Sequence, residues 1–423
     1  MWSIHQVAGV SFYIVFIWGQ QLSRELEVYN AYFGDCIVIQ DSVDDSNLLV
    51  DFGIHRKSVI SRRYGYRRDL TKKIADDLAL RYKDKKLGLL ITHFHEDHVS
   101  GLVLMHRLNY RRYEHIFDNA YIANIWNNPF IVASTLLEEL ILKIQLKNSR
   151  LVRTRATLFD VLDFLCSNVY SINLLERGVH FDNDKYIALW PPLEDEEKDL
   201  SELIENFGLP RDTYDRLIRI SERLCRYVAE NIIIKQDSKS NYSYDYLLAL
   251  KDSYLELCDR VCNIRLDTVI PIHEDKNFIE SQIKLNELNH KYNIVFQNIE
   301  NGKDNILFTG DVEKTHMRII ASSTTIPLHN KYKYIKIPHH GTENHFFDYT
   351  VYNPENIIIT NGKVKGVPYP DAYKIYCSYG DMSNNNICAN SNFCSLCCGS
   401  VLTSRHNCFY NHTIIYPNLS RRV

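Results

Sequence analysis

The chain lacks an excess of charge of either sign. Its 423 residues include 49 lysines and arginines against 52 aspartates and glutamates, so the formal net charge is -3 at pH 7. Proteins that bind nucleic acids without sequence preference usually carry a strongly positive overall charge. That mode of binding is excluded for the chain as a whole, and any contact with a nucleic acid must be local.

The sequence also lacks an apolar run long enough to cross a membrane. The most apolar segment, residues 7–18, is shorter than the roughly 20 residues that a spanning helix needs. No lysine or arginine precedes it, and no small-residue cleavage motif follows it. We expect an N-terminal extension over residues 1–24 and no integral membrane association. One alternative is a membrane-tethering helix, and another is that this sequence starts at a codon upstream of the natural start codon.

A complete disulfide framework is missing too, because the eleven cysteines are an odd number. Without a convincing export signal, this count indicates reduced thiols in a cytoplasmic protein. Several cysteines crowd the end of the chain: Cys377, Cys388, Cys394, Cys397, Cys398 and Cys408. We assign residues 371–423 to a cysteine-rich tail. Its Cys394-x-x-Cys397 is either half of a structural zinc site, with His406 and His412 nearby, or incidental.

Metal-ligating side chains are abundant directly after the apolar run at residues 87–91. The segment reads His93-Phe94-His95-Glu96-Asp97-His98. Alternate side chains of a strand point to one face, so His93 and His95 can converge on one cation. Asp97 and His98, in the following turn, can reach a second cation. A lone histidine at a strand end is usually an ordinary polar residue, but this spacing indicates a metal pair and hydrolytic chemistry.

Short strands alternate with helices along most of the chain. Apolar alternation predicts strands at residues 26–29, 35–39, 48–51, 87–91, 120–123, 186–190, 293–296, 305–309, 334–338 and 356–360. Helical periodicity predicts helices at residues 70–82, 99–108, 136–146, 156–169, 214–228 and 246–261. Because the strand signal mostly disappears over residues 193–284, we interpret that range as an inserted helical segment.

Further ligand candidates follow later strands. Asp311 comes after the strand at residues 305–309, and its two oxygens can bridge two cations. His339 or His340, after another strand, completes the second metal site. Asp51, at the end of an early strand, is placed to orient the histidines from outside the ligand shell.

These motifs, in this order, resemble those of the metallo-β-lactamase superfamily. They are Val50-Asp51-Phe52-Gly53, His93-x-His95-x-Asp97-His98, Phe308-Thr309-Gly310-Asp311 and Pro338-His339-His340-Gly341. Within the superfamily, a combination of five segments resembles the hydrolase domain of the ComEC-type competence proteins and its free-standing relatives. The segments are Phe33-Gly34-Asp35-Cys36, Leu189-Trp190-Pro191-Pro192, Leu288-Asn289 before a strand, Leu307-Phe308-Thr309-Gly310-Asp311 and Lys336-Ile337-Pro338-His339-His340-Gly341. The match runs from about residue 25 to residue 360.

The resemblance implies an α/β fold, an αββα sandwich over residues 25–370 with metal ions at one edge of two packed sheets. It implies two divalent ions, Zn²⁺ or Mn²⁺, and a metal-bridging hydroxide as nucleophile. Carried over residue by residue, it implies that His93 and His95 bind the first ion and that Asp97 and His98 bind the second. Asp311 would bridge the two ions. Alignment with the superfamily's Pro-Gly-His-Gly turn favours His340 over His339 as the last ligand.

One family ligand has no counterpart in a motif that we can match. Many members place an additional histidine between the first motif and the bridging aspartate. His115, His180, His273 and His290 are available for that position. We expect each of them to be a surface or structural histidine, because a lone histidine is more often that than a ligand.

The expected function is metal-dependent hydrolysis, with Asp97 as the catalytic residue that orients the hydroxide or accepts its proton. Phosphodiesters of nucleic acids or nucleotides are favoured as substrates, since hard cations bind the oxygens on which charge develops. A carboxylic ester, thioester or lactone is the alternative substrate. A different alternative is a metal-stabilised module whose inserted helices, residues 193–284, bind a partner protein.

Two groups of basic residues bear on the substrate. A basic and aromatic stretch follows the Asp51 strand and can clamp single-stranded nucleic acid or form a solvated loop. It comprises Arg56, Lys57, Arg62, Arg63, Tyr64, Tyr66, Arg67 and Arg68. Lys333 and Lys336 flank the strand before His339 and can contact a phosphate, although we expect both to be solvated charges.

Overall fold

A computed structural model describes most of the chain. The described residues are 6–7, 10–11, 24–29, 31–41, 46–58, 60, 66–108, 113, 116–146, 156–192, 200–233, 244–265, 276–342, 345–360, 386–388 and 414–415. The predicted N-terminal extension and the cysteine-rich tail lie almost entirely outside these residues. The domain boundaries at residues 24 and 370 therefore stay predictions, as does the zinc site in the tail.

Strands and helices alternate through the described ranges. The strands are β1 (Gln6–Val7), β2 (Val10–Ser11), β3 (Arg24–Tyr29), β4 (Ile37–Asp41), β5 (Ser46–Val50), β6 (Lys86–Ile91), β7 (Phe117–Ala123), β8 (Val169–Leu175), β9 (His180–Phe181), β10 (Tyr186–Trp190), β11 (Val295–Asn298), β12 (Ile306–Phe308), β13 (Tyr334–Lys336), β14 (Asn356–Ile359), β15 (Asn386–Cys388) and β16 (Ile414–Ile415). The helices are α1 (Arg67–Tyr82), α2 (Glu96–Arg107), α3 (Pro129–Leu146), α4 (Leu158–Asn168), α5 (Ser201–Asn206), α6 (Asp212–Val228), α7 (Tyr244–Arg265), α8 (Lys276–His290) and α9 (Lys314–Ala321). A π-helical turn at Ala229–Ile233 and 3₁₀ turns at Pro338–Gly341 and Thr350–Tyr352 complete the description.

Two mixed sheets form the frame of the molecule. The strand orders are β16-β3-β4-β5-β6-β7-β8 in one sheet and β15-β14-β13-β12-β11-β10-β9 in the other. Strands β5 to β8 run parallel in the first sheet, and β12 to β15 run parallel in the second. The α/β class predicted from the sequence is confirmed.

One apolar core joins the two sheets, because side chains alternate across each strand. In β12, Ile306 and Phe308 belong to the core that contains the buried residues of β4 to β7. Leu307 points to the opposite side, where it packs in a second core with Met317 and Ile320 of α9. The second sheet is thus covered on both faces, and its strand ends are held rigidly.

The range that we interpret as a helical insertion contains α5, α6, α7, the π-helical turn and most of α8, and its described residues include no strand. These helices pack on α3 and α4. The Tyr254 hydroxyl of α7 donates a hydrogen bond to the Leu136 carbonyl of α3 at 2.8 Å. Lys251 of α7 pairs with Asp160 of α4, with 2.8 Å between Nζ and Oδ1.

Several helix boundaries differ from those predicted, among them the following three. Helix α2 begins at Glu96 rather than at residue 99, since Glu96 and Asp97 are favourable in a first helical turn. Helix α3 begins at Pro129 rather than at residue 136, and proline suits a first helical position. Helix α4 ends at Asn168, where the half-exposed strand β8 follows without a distinct sequence signal.

Among the described residues, the helices are too short or too polar to pass through a membrane.

Candidate metal centre

The candidate site lies where the carboxyl ends of four strands meet. Asp51 follows β5, and the segment from His93 to His98 follows β6, its parallel neighbour. Asp311 follows β12, and the turn at Pro338–Gly341 follows β13, which is parallel to β12. A backbone hydrogen bond from Ile294 to Thr92, 2.9 Å long, joins the two sheets at this edge.

The backbone at these strand ends adopts conformations that side chains usually avoid. Asp51, His339 and His340 have φ of 56°, 44° and 54°. Such left-handed conformations cost about 1 kcal/mol or more for residues other than glycine, and they concentrate at functional sites. These strained residues lie where the backbone directs side chains toward the candidate site.

Asp311 lies between the histidines of the first motif. Its Oδ2 is 3.6 Å from Nε2 of His93 and 3.3 Å from Nε2 of His98. On the far side, Oδ2 of Asp97 lies 3.4 Å from Nε2 of His340. The candidate ligands therefore fall into two adjoining groups with Asp311 between them.

The partners of the outer ring nitrogens determine which nitrogen of each histidine faces the centre. Asp51 and the Thr360 carbonyl are acceptors, so His98 and His340 must donate to them through Nδ1, over 2.8 Å and 2.7 Å. Glu138 likewise accepts from Nε2 of His95 over 3.1 Å. The inward lone pairs are then Nε2 of His98 and His340, and Nδ1 of His95.

His93 follows the same rule through Thr92. The Thr92 hydroxyl donates to Oδ2 of Asp51 over 2.7 Å, so its oxygen accepts from Nδ1 of His93 over 3.1 Å. Asp51 also accepts from the Thr92 amide over 2.7 Å. One buried carboxylate thus orients two histidine rings, which is the role predicted for Asp51 from the sequence.

Several inward-facing atoms are buried and have no hydrogen-bond partner within the described part of the chain. They are Nε2 of His93, His98, His290 and His340, and Oδ2 of Asp311. An unpaired buried polar group costs about 1–3 kcal/mol, so a set of them in one place requires a common partner. Imidazole nitrogens and carboxylate oxygens are the donor atoms that Zn²⁺ and Mn²⁺ accept in proteins. The residues present fit a pair of such ions.

The sets of ligand atoms that lie within 4.8 Å of one another include both groups. One consists of His93, His95, His290 and Asp311, and the other of Asp97, His98 and His340. Every ligand candidate of the first sequence motif is included. His340 lies in the second group, whereas His339 lies closer to His290 and Asp311.

Of the surface or structural roles expected for His290, at the end of α8, the structure excludes only the surface one. It is 6% exposed, and its ring centroid is 4.9 Å from that of His95. No local sequence pattern marks it, because only the packing of α8 and β11 returns it to the sheet edge. His180 is exposed beside Asp184, as expected, and His115 and His273 lie outside the described residues.

The two lysines near the site are not solvated, which corrects the sequence-based expectation. Lys336 is 1% exposed, and its Nζ lies 2.9 Å from Oδ2 of Asp35. Asp35 in turn lies 3.7 Å from Nδ1 of both His98 and His340. Lys333 pairs with Asp304 at 2.7 Å. Lys336 therefore stabilises a carboxylate behind the second ligand group rather than contacting solvent.

Part of the basic stretch is anchored beside the centre. Arg67 donates to Oε1 of Glu96 over 2.6 Å, and NH1 of Arg56 lies 3.8 Å from the other oxygen of that carboxylate. Arg68 is exposed. Arg62, Arg63 and Tyr64 lie outside the described residues. These contacts place positive charge one residue away from Asp97.

The pKa values of Asp97, Asp311, His93 and His290 favour cation binding. Burial alone would raise the pKa of Asp97 and Asp311, but the neighbouring histidines outweigh it and hold both pKa values well below the ordinary range. Burial and the adjacent imidazoles hold the pKa of His93 well below its usual value and lower that of His290 to about 3. Carboxylates and neutral imidazoles are the forms that bind metal ions.

His98 has the opposite tendency. Burial lowers its pKa, but the charges of Asp311 and Asp51 outweigh burial, so the pKa lies well above the ordinary value. Two carboxylates therefore concentrate positive charge at this ring. A divalent cation at Nε2 would supply that charge in place of the proton.

Comparison with known proteins adds no family assignment. No protein-family model matches the chain, and no curated protein matches it. The arguments for function are therefore the geometry of this centre and the sequence motifs that form it.

Proposed function

We propose that the chain is a dinuclear metal-dependent hydrolase with the αββα arrangement of the metallo-β-lactamase superfamily. The observation that carries the proposal is the convergence of unpaired, buried imidazole and carboxylate atoms at the ends of strands from both sheets. A purely structural cluster would pair these atoms with one another or with the backbone. Support also comes from the order of the motifs along the chain.

The residues would divide the work between two ions. His93, His95 and Asp311, with His290 in reach, would hold the first ion, and Asp97, His98 and His340 the second. When bound, the ions would lower the pKa of water and polarise the scissile group. Asp311 lies between the groups, where its Oδ2 can serve both.

The surrounding side chains fix the orientation of these ligands. Asp51 retains the proton on Nδ1 of His98, and Glu138 retains the proton on Nε2 of His95. Asp97 stays ionised because its pKa is low, so it can accept a hydrogen bond from a water molecule and orient it.

We propose a phosphodiester of a nucleic acid or nucleotide as the substrate class. Arg56 and Arg67 both pair with the single carboxylate of Glu96, so one net positive charge remains next to Asp97. Guanidinium groups bind phosphate oxygens with two parallel hydrogen bonds. The motif resemblance to the ComEC-type hydrolase domain points to the same class.

The test compares three substrate classes with metal-free protein reconstituted in Zn²⁺ or Mn²⁺. We expect hydrolysis of bis(p-nitrophenyl) phosphate and single-stranded DNA, and a loss of at least 100-fold in His95→Ala and Asp311→Asn. His106→Ala is the matched control, because His106, in the last turn of α2, pairs with Asp163 of α4. Hydrolysis of acyl esters alone would reject the phosphodiester, and activity unchanged in His95→Ala would reject the metal mechanism.

A further inference from the structure

A third group of imidazoles adjoins the centre. His290, His339 and His345 bring ligand atoms within 4.8 Å of one another. The rings of His339 and His345 stack with centroids 4.1 Å apart, and the His290 ring lies 5.2 Å and 5.3 Å from them. The three rings come from the end of α8, the 3₁₀ turn and the segment after it.

Thr342 holds two of these rings by their outer nitrogens. Its Oγ1 contacts Nδ1 of His345 at 3.0 Å and also contacts Nδ1 of His339. A hydroxyl oxygen can accept from two N–H groups at once. Both rings can then carry their proton on Nδ1 and keep the Nε2 lone pair free, as histidines that ligate metals do.

Two of the three inner nitrogens have no partner among the described residues. Nε2 of His345 and Nε2 of His290 are buried and have no hydrogen-bond partner in the described ranges. Nε2 of His339 lies 3.8 Å from Oδ2 of Asp311, beyond hydrogen-bonding distance. Stacked rings alone would explain the packing but not two buried nitrogens without partners.

We propose that His290, His339 and His345 form a third cation position, which binds Zn²⁺ in preference to Mn²⁺. Three nitrogen donors suit zinc, whereas manganese prefers oxygen ligands. Nε2 of His290 binds one cation at a time, so occupancy of the third position leaves the first ion with His93, His95 and Asp311. Three protein ligands and an open position are typical of a catalytic zinc site. The proposal does not require hydrolytic activity.

The test measures zinc content in the full chain after removal of metal and reconstitution. We expect wild-type protein to bind one more Zn²⁺ per chain than His345→Phe, and both to bind equal amounts of Mn²⁺. Phenylalanine keeps the stacked ring while removing the ligand. His329→Phe is the control: His329 is also buried but bonds to the Asn298 carbonyl, and its zinc content should equal that of wild type.

A second variant separates loss of the ligand from loss of the fold. Thr342→Val keeps all three imidazoles and should weaken the additional Zn²⁺ about 10–100-fold, because it removes the group that orients two of them. Cobalt substitution gives an independent readout: the spectrum of wild type minus that of His345→Phe should show d–d bands without a thiolate charge-transfer band. Equal Zn²⁺ content and affinity in wild type and His345→Phe would overturn the proposal.

Discussion

Asp51 shows how much of the candidate centre depends on a residue that would touch no metal. It is fully buried, has a φ of 56°, and accepts hydrogen bonds from Thr92 and His98. Burial raises its pKa, and the His98 charge opposes that rise. The carboxylate therefore depends on the histidine that it orients, and the pair acts as a unit.

Asp51→Asn tests this role. Asparagine has the same shape and tolerates a left-handed backbone, so the fold should be retained. The amide cannot hold the proton of His98 with the same strength, and we expect the affinity for Zn²⁺ to fall about 10–100-fold in a competition titration. Asp163→Asn, on the partner of His106, should bind Zn²⁺ as wild type does. An unchanged affinity in Asp51→Asn would contradict the role assigned to Asp51.

His345 predicts a pH dependence in the metal-free protein. Burial, foremost, lowers its pKa from 6.5 to about 4. Between those pH values the unfolded chain takes up a proton that the folded chain refuses, so this residue makes the free energy of unfolding fall as the pH falls. Urea titrations at several pH values between 7 and 4 should show a steeper fall for wild type than for His345→Phe. One group contributes at most about 1.4 kcal/mol per pH unit.

His98 changes the free energy of unfolding with pH in the opposite direction to His345. His98, whose pKa is raised, contributes stability that is present below pH 6.5 and is lost as the pH rises through its folded pKa. That contribution is common to both proteins and cancels in the difference. Parallel curves for wild type and His345→Phe would contradict this prediction. They would mean that the pKa of His345 is the same in the folded and the unfolded chain.

At the scale of elements, the start of α2 is the most constrained part of the site. Gly53 approaches it so closely that a Cβ there would lie 2.3 Å from the carbonyl carbon of Asp97 and 2.4 Å from the amide nitrogen of His98. The contact is between backbones, which cannot rotate away as a side chain can. The loop after β5 thereby fixes where the first turn of α2 presents its ligands.

Gly53→Ala should therefore displace Asp97 and His98 together. We expect a loss of stability of about 1–3 kcal/mol in denaturant unfolding and a loss of the second cation in metal analysis. Gly302→Ala is the matched control, since no atom lies within 4 Å of a Cβ built there. If Gly53→Ala bound both cations with wild-type affinity, the close approach would have no role in forming the site.

The candidate ligands of one segment were predicted from their spacing and Asp311 and His340 from the order of the motifs, whereas His290 was not predicted. His93, His95, Asp97 and His98 follow one strand, so their spacing alone indicates a shared site. His290 joins them only because α8 and β11 bring it back across the sheet edge. No local pattern carries that information, and the same holds for Glu138 of α3, which bonds to His95.

The prediction that Lys336 is solvated was wrong for a related reason. Composition predicts a solvated side chain at Lys336, but the fold places Asp35 from another sheet 2.9 Å from its Nζ. A buried pair of this kind is expensive to break, at about 3–5 kcal/mol when one partner is removed. The position of this buried pair explains why it is present, because Asp35 also faces two histidines of the candidate centre.

At the scale of the whole molecule, two sheets contribute unlike halves of one centre. The first sheet brings the motif after β6, and the second brings Asp311 and the turn after β13. Neither sheet alone gathers a complete ligand group, because the second group combines Asp97 and His98 with His340. The apolar core shared by the two sheets fixes the position of one set of candidate ligands relative to the other.

The central claim is that this edge holds two cations with Asp311 between them. The most direct measurement is an anomalous-scattering map from crystals of the full chain grown with Zn²⁺. We predict one peak among His93, His95 and Asp311 and another among Asp97, His98 and His340, whether or not the third position is filled. A map with no peak at either place, in crystals that contain zinc, would contradict the account.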